Sequence, residues 1–144
     1  METNYRDPEY RDAAERHWED AETLLERERL ANADHLFGLS AECALKAVMR
    51  GLGMRLRDGK PEKPEHRRHI NKLWDEFLSF ANGRNGARYA ARIQSDANPF
   101  ADWSTDQRYW PRSCFTRQHV GGHKSAAQNA MRMLEDAFRD GLVT

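Results

Sequence analysis

The sequence contains little cysteine and no long apolar run. Its two cysteines, Cys43 and Cys114, form no CxxC pair. This argues against a zinc or redox site, so we expect two free thiols. No apolar run approaches the roughly 18 residues that cross a bilayer, and the first ten residues, METNYRDPEY, lack the basic and apolar regions of a signal peptide. We therefore expect a cytoplasmic protein with no membrane-spanning segment.

The chain also lacks an excess of charge of either sign, yet its charges are unevenly distributed. The 144 residues carry 23 basic and 23 acidic side chains. Residues 1–29 hold ten acids against five arginines, whereas residues 50–72 hold eight basic residues against three acids and residues 84–124 hold seven against three. This asymmetry favours steering of an anionic ligand, and it equally favours pairing of the acidic first helix with basic neighbours in the fold or across a dimer.

Apolar side chains recur at helical spacing along most of the chain, and no segment alternates like a strand. The length suits one domain, over residues 1–144. The pattern therefore predicts an all-α, antiparallel up-and-down bundle of four to five helices. In the last helix, Ala137 or Phe138 is expected to complete the apolar face. The predicted helices cover residues 7–29, 33–51, 69–82, 87–94 and 119–141, with a solvated loop over 54–68.

The second predicted helix is apolar over much of its circumference. Phe37, Ala41, Ala44 and Val48 form one stripe, and small residues such as Gly38 allow a neighbour to approach closely. A helix of this kind must be covered on more than one side. It lies either at the centre of a monomeric bundle or at a subunit interface, and the pattern alone does not choose between the two.

Residues 108–123, RYWPRSCFTRQHVGGH, combine three arginines with two histidines just before the last helix. Arginine presents a permanently charged fork to phosphate oxygens, and histidine exchanges protons near neutral pH. The cluster therefore suits nucleotide or RNA chemistry. The aromatic residues of this stretch, Tyr109, Trp110 and Phe115, are expected either to stack on bases or to fill the end of the bundle.

The histidines also raise the question of a metal site. His119 and His123 stand at i and i+4, which places both on one helix face as in metal sites. The nearby aspartates, Asp96, Asp102 and Asp106, have no ligand-like spacing to them. We therefore expect neither a metal ion nor a cofactor. The remaining basic-loop histidines, His66 and His69, are expected to be solvated or to cap the third helix.

The order of these features resembles the HEPN family of prokaryotic and eukaryotic helical nucleotide-binding domains. The resemblance spans nearly the whole chain. It is carried by AECALKAV at residues 41–48, by the basic loop, by residues 66–73 that open the third helix, and by RYWP at residues 108–111 before the final helix. It implies an up-and-down helical bundle that usually forms a homodimer and acts in toxin–antitoxin pairs, antiviral defence or partnership with a nucleotidyltransferase.

Two branches of the family give two functional expectations. One branch is a metal-independent ribonuclease, in which an arginine and a histidine four to six residues apart meet across the dimer. Arg112 with His119, and Arg117 with His123, have six and five intervening residues, and would be the catalytic pairs. In such a site histidine transfers a proton and arginine stabilises charge developing on phosphorus.

The other branch binds nucleotides or partner proteins without catalysis, and this is the function we favour for the chain. It makes the protein a nucleotide- or RNA-associated module. A third possibility is a domain that only pairs with another protein. In the favoured case the binding residues are expected to be Arg108, Tyr109, Trp110, Arg112, Arg117 and Lys124.

Overall fold

Five α-helices account for most of the fold, as the apolar periodicity predicts. The computed structural model describes residues 6–144; one of the ten N-terminal acids, Glu2, lies outside them. The helices are α1 (Tyr10–Glu26), α2 (Leu30–Gly51), α3 (Ile70–Asn82), α4 (Ala87–Ile93) and α5 (Arg117–Arg139). Three short 3-10 helices cover Pro64–Arg67, Thr105–Tyr109 and Arg112–Cys114. In the described part of the chain, no helix is long and apolar enough to cross a membrane.

The ends of the helices differ from the sequence-based boundaries by a few residues. The first helix begins at Tyr10 after Glu9 rather than at Asp7, and α2 begins at Leu30 rather than after Asn32. The last helix begins two residues earlier than predicted, because the hydroxyl of Thr116 accepts a hydrogen bond from the backbone of His119. This cap fixes the first turn of α5, which carries the predicted histidine pair.

The turn from α1 to α2 contains an unusual residue, Glu28. The amide of Arg29 donates to the carbonyl of Leu24 and the amide of Glu28 donates to that of Leu25, the pattern of a Schellman motif. Glu28 occupies the left-handed position of the motif with φ 60°, where glycine is usual. Because the turn is so short, α1 and α2 pack as an antiparallel pair.

The second helix lies at the centre of the bundle. It packs against α1, α3 and α5, and its apolar stripe is covered within one chain. Phe37 is fully buried and meets the edge of Trp18 at 5.3 Å between ring centroids. Of the two arrangements that the sequence left open, the structure therefore shows the central helix, and this face is not a free subunit interface.

Close approach to α2 occurs at Gly38, as its small side chain predicts. The indole of Trp103 packs directly over this glycine, and a Cβ atom at residue 38 would lie 2.2 Å from the ring. Trp103 is 1% exposed, and its ring nitrogen donates a hydrogen bond to the carbonyl of Asp34. The lack of a side chain at Gly38 therefore allows Trp103, and with it the segment before α5, to pack directly against α2.

The predicted solvated loop over 54–68 is wrong in two respects. Leu56–Arg57 and Lys60–Pro61 form a short antiparallel hairpin, β1 and β2. Asp58 and Gly59 form the turn of the hairpin with positive φ angles, 54° and 77°. This is an Asp-Gly hairpin turn, which the loop prediction did not include. His66, expected in solvent or at the cap of the third helix, is buried against Phe80, because the 3-10 helix that follows the hairpin packs against α3.

The apolar face of α5 is completed by one of the two residues that the sequence allowed. Ala137 is fully buried, whereas Phe138 is 44% exposed and lies under the guanidinium of Arg11 at 3.7 Å. Of the two residues that the helical period allowed, Ala137 completes the core. Both cysteines are free, as predicted.

The AECALKAV stretch supplies a buried ionic cluster around Glu42. Its carboxylate accepts hydrogen bonds from Lys46 at 3.2 Å and from the backbone amide of Ile70 at 3.1 Å, and it contacts His69 Nδ1 at 3.0 Å. The bond to Ile70 satisfies one of the free amides at the start of α3. Glu42 therefore fixes the start of α3 to α2.

Two glycines give opposite expectations for replacement by alanine. In Gly38→Ala the new methyl group collides with Trp103, and we expect a loss of about 1–3 kcal/mol in the free energy of unfolding. Gly122 lies in α5 with nothing within 4 Å of an added Cβ, so Gly122→Ala is the matched control and should gain about 1 kcal/mol. Urea denaturation measures both. Equal effects of the two substitutions would contradict the packing described here.

The His69–Glu42 pair predicts a stability change with pH. The hydrogen bond that His69 donates to Glu42 raises the pKa of His69 above 6.5 despite partial burial. The pair therefore contributes stability that is fully present below pH 6.5 and is lost as the pH rises through the raised pKa. We expect His69→Gln to lower the free energy of unfolding more at about pH 5.5 than at about pH 8.5, as measured in urea.

His17 provides the control with the opposite sign. Burial lowers the pKa of His17 below its usual value, so its contribution to stability falls as the pH falls. The free energy of unfolding of His17→Gln, compared with that of the unaltered protein, should therefore be more favourable at about pH 5.5 than at about pH 8.5. A His69→Gln deficit that grows with rising pH would show that the contact with Glu42 is not made.

Candidate functional site

Three aromatic side chains anchor the long connection between α4 and α5, over residues 94–116. Phe100, Trp103 and Phe115 are buried in the core. Of the aromatic residues predicted to stack on bases or fill the bundle, Phe115 therefore fills the core, while Tyr109 is 76% and Trp110 is 44% exposed. The anchored segment presents polar and charged side chains between its aromatic contacts, and these form the candidate site.

His123 lies between two aspartates at the inner end of this site. Its Nδ1 is 2.6 Å from Asp34 Oδ1 on α2, and its Nε2 is 2.8 Å from Asp102 Oδ1 on the connection. The ring also stacks on Phe100 at 5.1 Å between centroids. Both ring nitrogens are therefore hydrogen-bonded, and the side chain is only 3% exposed.

Asp34 is fully buried, and both of its carboxylate oxygens have a hydrogen-bond partner. Oδ1 contacts His123, and Oδ2 accepts a hydrogen bond from Gln107 Nε2 at 2.7 Å. Gln107 is itself fixed, because its Oε1 accepts from the backbone of Ser104 in a capping box. A buried carboxylate costs several kcal/mol of desolvation unless it is paired in this way.

His119 forms the outer end of the cluster. It lies one helical turn before His123 on α5, and the two rings meet edge to face at 4.7 Å between centroids. Its Nε2 is 3.4 Å from Asp102 Oδ2. Because 37% of the His119 side chain and 59% of the Asp102 side chain are exposed, this end of the cluster is open to solvent. We name Asp34, Asp102, His119 and His123 the histidine–aspartate cluster.

The electrostatics of the cluster favour a protonated inner histidine. Burial alone lowers the pKa of His123, but the hydrogen bonds and negative charges of Asp34 and Asp102 outweigh it and raise that pKa. Burial raises the pKa of Asp102, yet the hydrogen bond and charge of His123 lower it overall.

An open pocket of about 500 Å³ lies on the other side of Gln107. We name it the arginine pocket, because Arg29, Arg108 and Arg112 line it together with Trp110. The remaining lining residues are Glu28, Leu30, Ala31, Asn32 and Gln107. Gln107 is shared, since it lines this pocket and also holds Asp34.

The sequence-predicted binding residues are only partly brought together. Arg108, Trp110 and Arg112 meet in the arginine pocket, whereas Tyr109 lies beside it under the guanidinium of Arg108 at 4.8 Å. Arg117 pairs with Glu28 at the rim. Lys124 is half-buried on α5 and makes no ion pair or side-chain hydrogen bond with the described residues.

The two predicted catalytic pairs also differ. Arg117 is bound to Glu28 and His123 to the two aspartates, and among residues 6–144 no hydrogen bond or ion pair joins this arginine to this histidine. Arg112 lies in the arginine pocket and His119 is accessible. Of the two pairs, Arg112 and His119 thus have the more exposed histidine.

The sequence-based prediction missed Arg29, Asp34 and Gln107 and dismissed Asp102. One signal was present for Asp34, a carboxylate three residues before Phe37 on the apolar stripe of α2, since buried acids are rare unless paired. No pattern signals Arg29, because the Schellman turn alone brings it to the pocket.

Comparisons of the chain with family models, with curated proteins and with solved structures give no match. The resemblance to HEPN domains is therefore a prediction from the sequence. What the structure shows is an all-α helical bundle.

The burial difference between the two histidines predicts different costs of removal. His123→Ala leaves the buried carboxylate of Asp34 without its cationic partner, and we expect a loss of about 3–5 kcal/mol in the free energy of unfolding. His119→Ala removes an exposed contact and should change it by no more than about 0.5 kcal/mol. Urea denaturation followed by circular dichroism measures both variants. Similar losses of stability in the two variants would contradict the buried contact between His123 and Asp34.

Proposed function

We propose that this chain is a nucleotide- or RNA-associated module that binds a phosphate group in the arginine pocket. The observation that carries the proposal is the convergence of Arg29, from the turn before α2, with Arg108 and Arg112, from the connection before α5, on one open pocket. Arginine binds phosphate oxygens through two parallel hydrogen bonds, which makes it the preferred residue for such a ligand.

The charges of the pocket favour an anion. Within residues 6–144, Arg29, Arg108 and Arg112 have no carboxylate partner. The single acidic residue of the lining, Glu28, is already paired with Arg117. Three guanidinium groups thus remain available to a ligand, and the potential that they create attracts phosphate.

Two exposed aromatic rings favour a ligand with bases. Trp110 lines the pocket and Tyr109 lies next to it, and the two residues are 44% and 76% exposed. Nucleic-acid bases stack on such rings with about 1–3 kcal/mol per base, independently of sequence. The combination of arginines with exposed aromatics is typical of binding to single-stranded RNA or to a nucleotide.

The ribonuclease alternative is favoured by a different observation, the accessible imidazole of His119 beside Asp102. In this alternative His119 transfers the proton and Arg112 stabilises charge on phosphorus. A domain that only pairs with another protein is the third alternative. The HEPN resemblance further implies a cytoplasmic homodimer, or a partnership with a nucleotidyltransferase or another cognate protein in toxin–antitoxin or antiviral systems.

Removal of two pocket arginines tests the proposed binding. We expect Arg108→Gln/Arg112→Gln to bind a short single-stranded RNA about 10- to 100-fold more weakly, since two charge-assisted contacts are lost. The slope of log affinity against log salt should become shallower by about 1.4, as each lost phosphate contact removes about 0.7. Fluorescence anisotropy at several salt concentrations measures both quantities.

The matched control removes the same charge from the hairpin. Arg55→Gln/Arg57→Gln should bind nearly as the unaltered chain does, because these residues lie outside the pocket. Equal weakening of RNA binding in both variants would show that the RNA responds only to the general positive charge of the protein. That result would overturn the proposed binding in the arginine pocket. Incubation of the RNA in EDTA, with His119→Ala beside the unaltered protein, decides the ribonuclease alternative; intact RNA in both samples rejects it.

A further inference from the structure

Two imidazoles converge on one carboxylate in the histidine–aspartate cluster. His119 and His123 both direct Nε2 at Asp102, at 3.4 Å and 2.8 Å from its two oxygens. We propose that His119, His123 and Asp102 bind a divalent transition-metal ion of the Zn²⁺ class. Nitrogen and carboxylate ligands of this kind are the ones that zinc takes in open, four-coordinate sites.

The distances fit this ligand set. Two atoms that bind a tetrahedral zinc ion at 2.0–2.1 Å lie about 3.3 Å apart. The His119–Asp102 separation of 3.4 Å already has this value. The His123–Asp102 separation of 2.8 Å is a hydrogen-bond length, so Asp102 moves outward by about half an ångström on binding. Asp102 is free to do so, because its side chain is 59% exposed.

Asp34 performs the supporting role that a zinc-bound histidine requires. One atom each of Asp34, His119 and His123 lies within 4.8 Å of the others, but both oxygens of Asp34 are used by His123 and Gln107. Asp34 therefore accepts a hydrogen bond from His123 Nδ1, and Nε2 is the nitrogen that can bind the ion. A carboxylate in this position fixes the tautomer and the orientation of a ligating histidine.

The sequence-based expectation of no metal site depended on spacing along the chain. Asp102 has no ligand-like spacing to the histidines, but the aromatic anchors of its segment bring it onto the face of α5 that carries both of them. Three protein ligands leave one position for water or an anion. The proposed metal site shares no residue with the lining of the arginine pocket. The test of one proposal can therefore fail while the test of the other succeeds.

Titration of the metal-depleted protein with Co²⁺ tests the proposal, because tetrahedral Co²⁺ absorbs in the visible. We expect one Co²⁺ per chain, displaced by Zn²⁺. His119→Ala and Asp102→Asn change exposed ligands, so the fold should survive, and each should weaken binding at least about tenfold. Asp34→Asn should weaken Zn²⁺ binding about 10- to 100-fold, as supporting residues do.

His69→Ala is the matched control. It removes another histidine that contacts a carboxylate, that of Glu42 at 3.0 Å, but one that belongs to no group of three or more potential metal ligands within residues 6–144. This variant should bind Co²⁺ as the unaltered protein does. Absence of Co²⁺ and Zn²⁺ binding by the unaltered chain would overturn the proposal, and so would affinity that is unchanged in both His119→Ala and Asp102→Asn.

Discussion

The buried carboxylate of Asp34 is the constraint on which this end of the bundle depends. A carboxylate without solvent costs several kcal/mol unless charged or hydrogen-bonding partners surround it. Its partners are His123 on α5 and Gln107 on the preceding 3-10 helix, while its own carbonyl accepts from Trp103. Three parts of the chain must therefore assemble at once around α2.

This requirement also arranges the candidate site in layers. The inner layer, Asp34 with His123 and Gln107, is buried and hydrogen-bonded, and within it Asp34 and Gln107 hold the positions of the groups around them. The outer layer, His119 with Asp102 on one side and the arginine pocket on the other, is accessible. A rigid inner layer that supports exposed charged groups is the arrangement that binding sites require.

Much of the fold could be predicted from the sequence. Five helices follow from apolar periodicity, and the centres of all five were correct. Their ends were less certain, because a cap such as Thr116 depends on one hydrogen bond. The hairpin was missed since its strands have two residues each, too short for any alternation to be recognised. Because residues 54–68 were treated as a solvated loop, the burial of His66 was missed as well.

What the sequence determined alone was local: the helices, the free cysteines and the concentration of arginine and histidine before α5. Only the tertiary structure decided which groups meet. Asp34 lies 89 residues before His123 and 73 before Gln107, and Arg29 reaches the pocket through a left-handed turn at Glu28. Helical periodicity tells which face of a helix is buried. It does not tell which distant side chain will lie opposite, because that depends on how the helices and the anchored segment pack together.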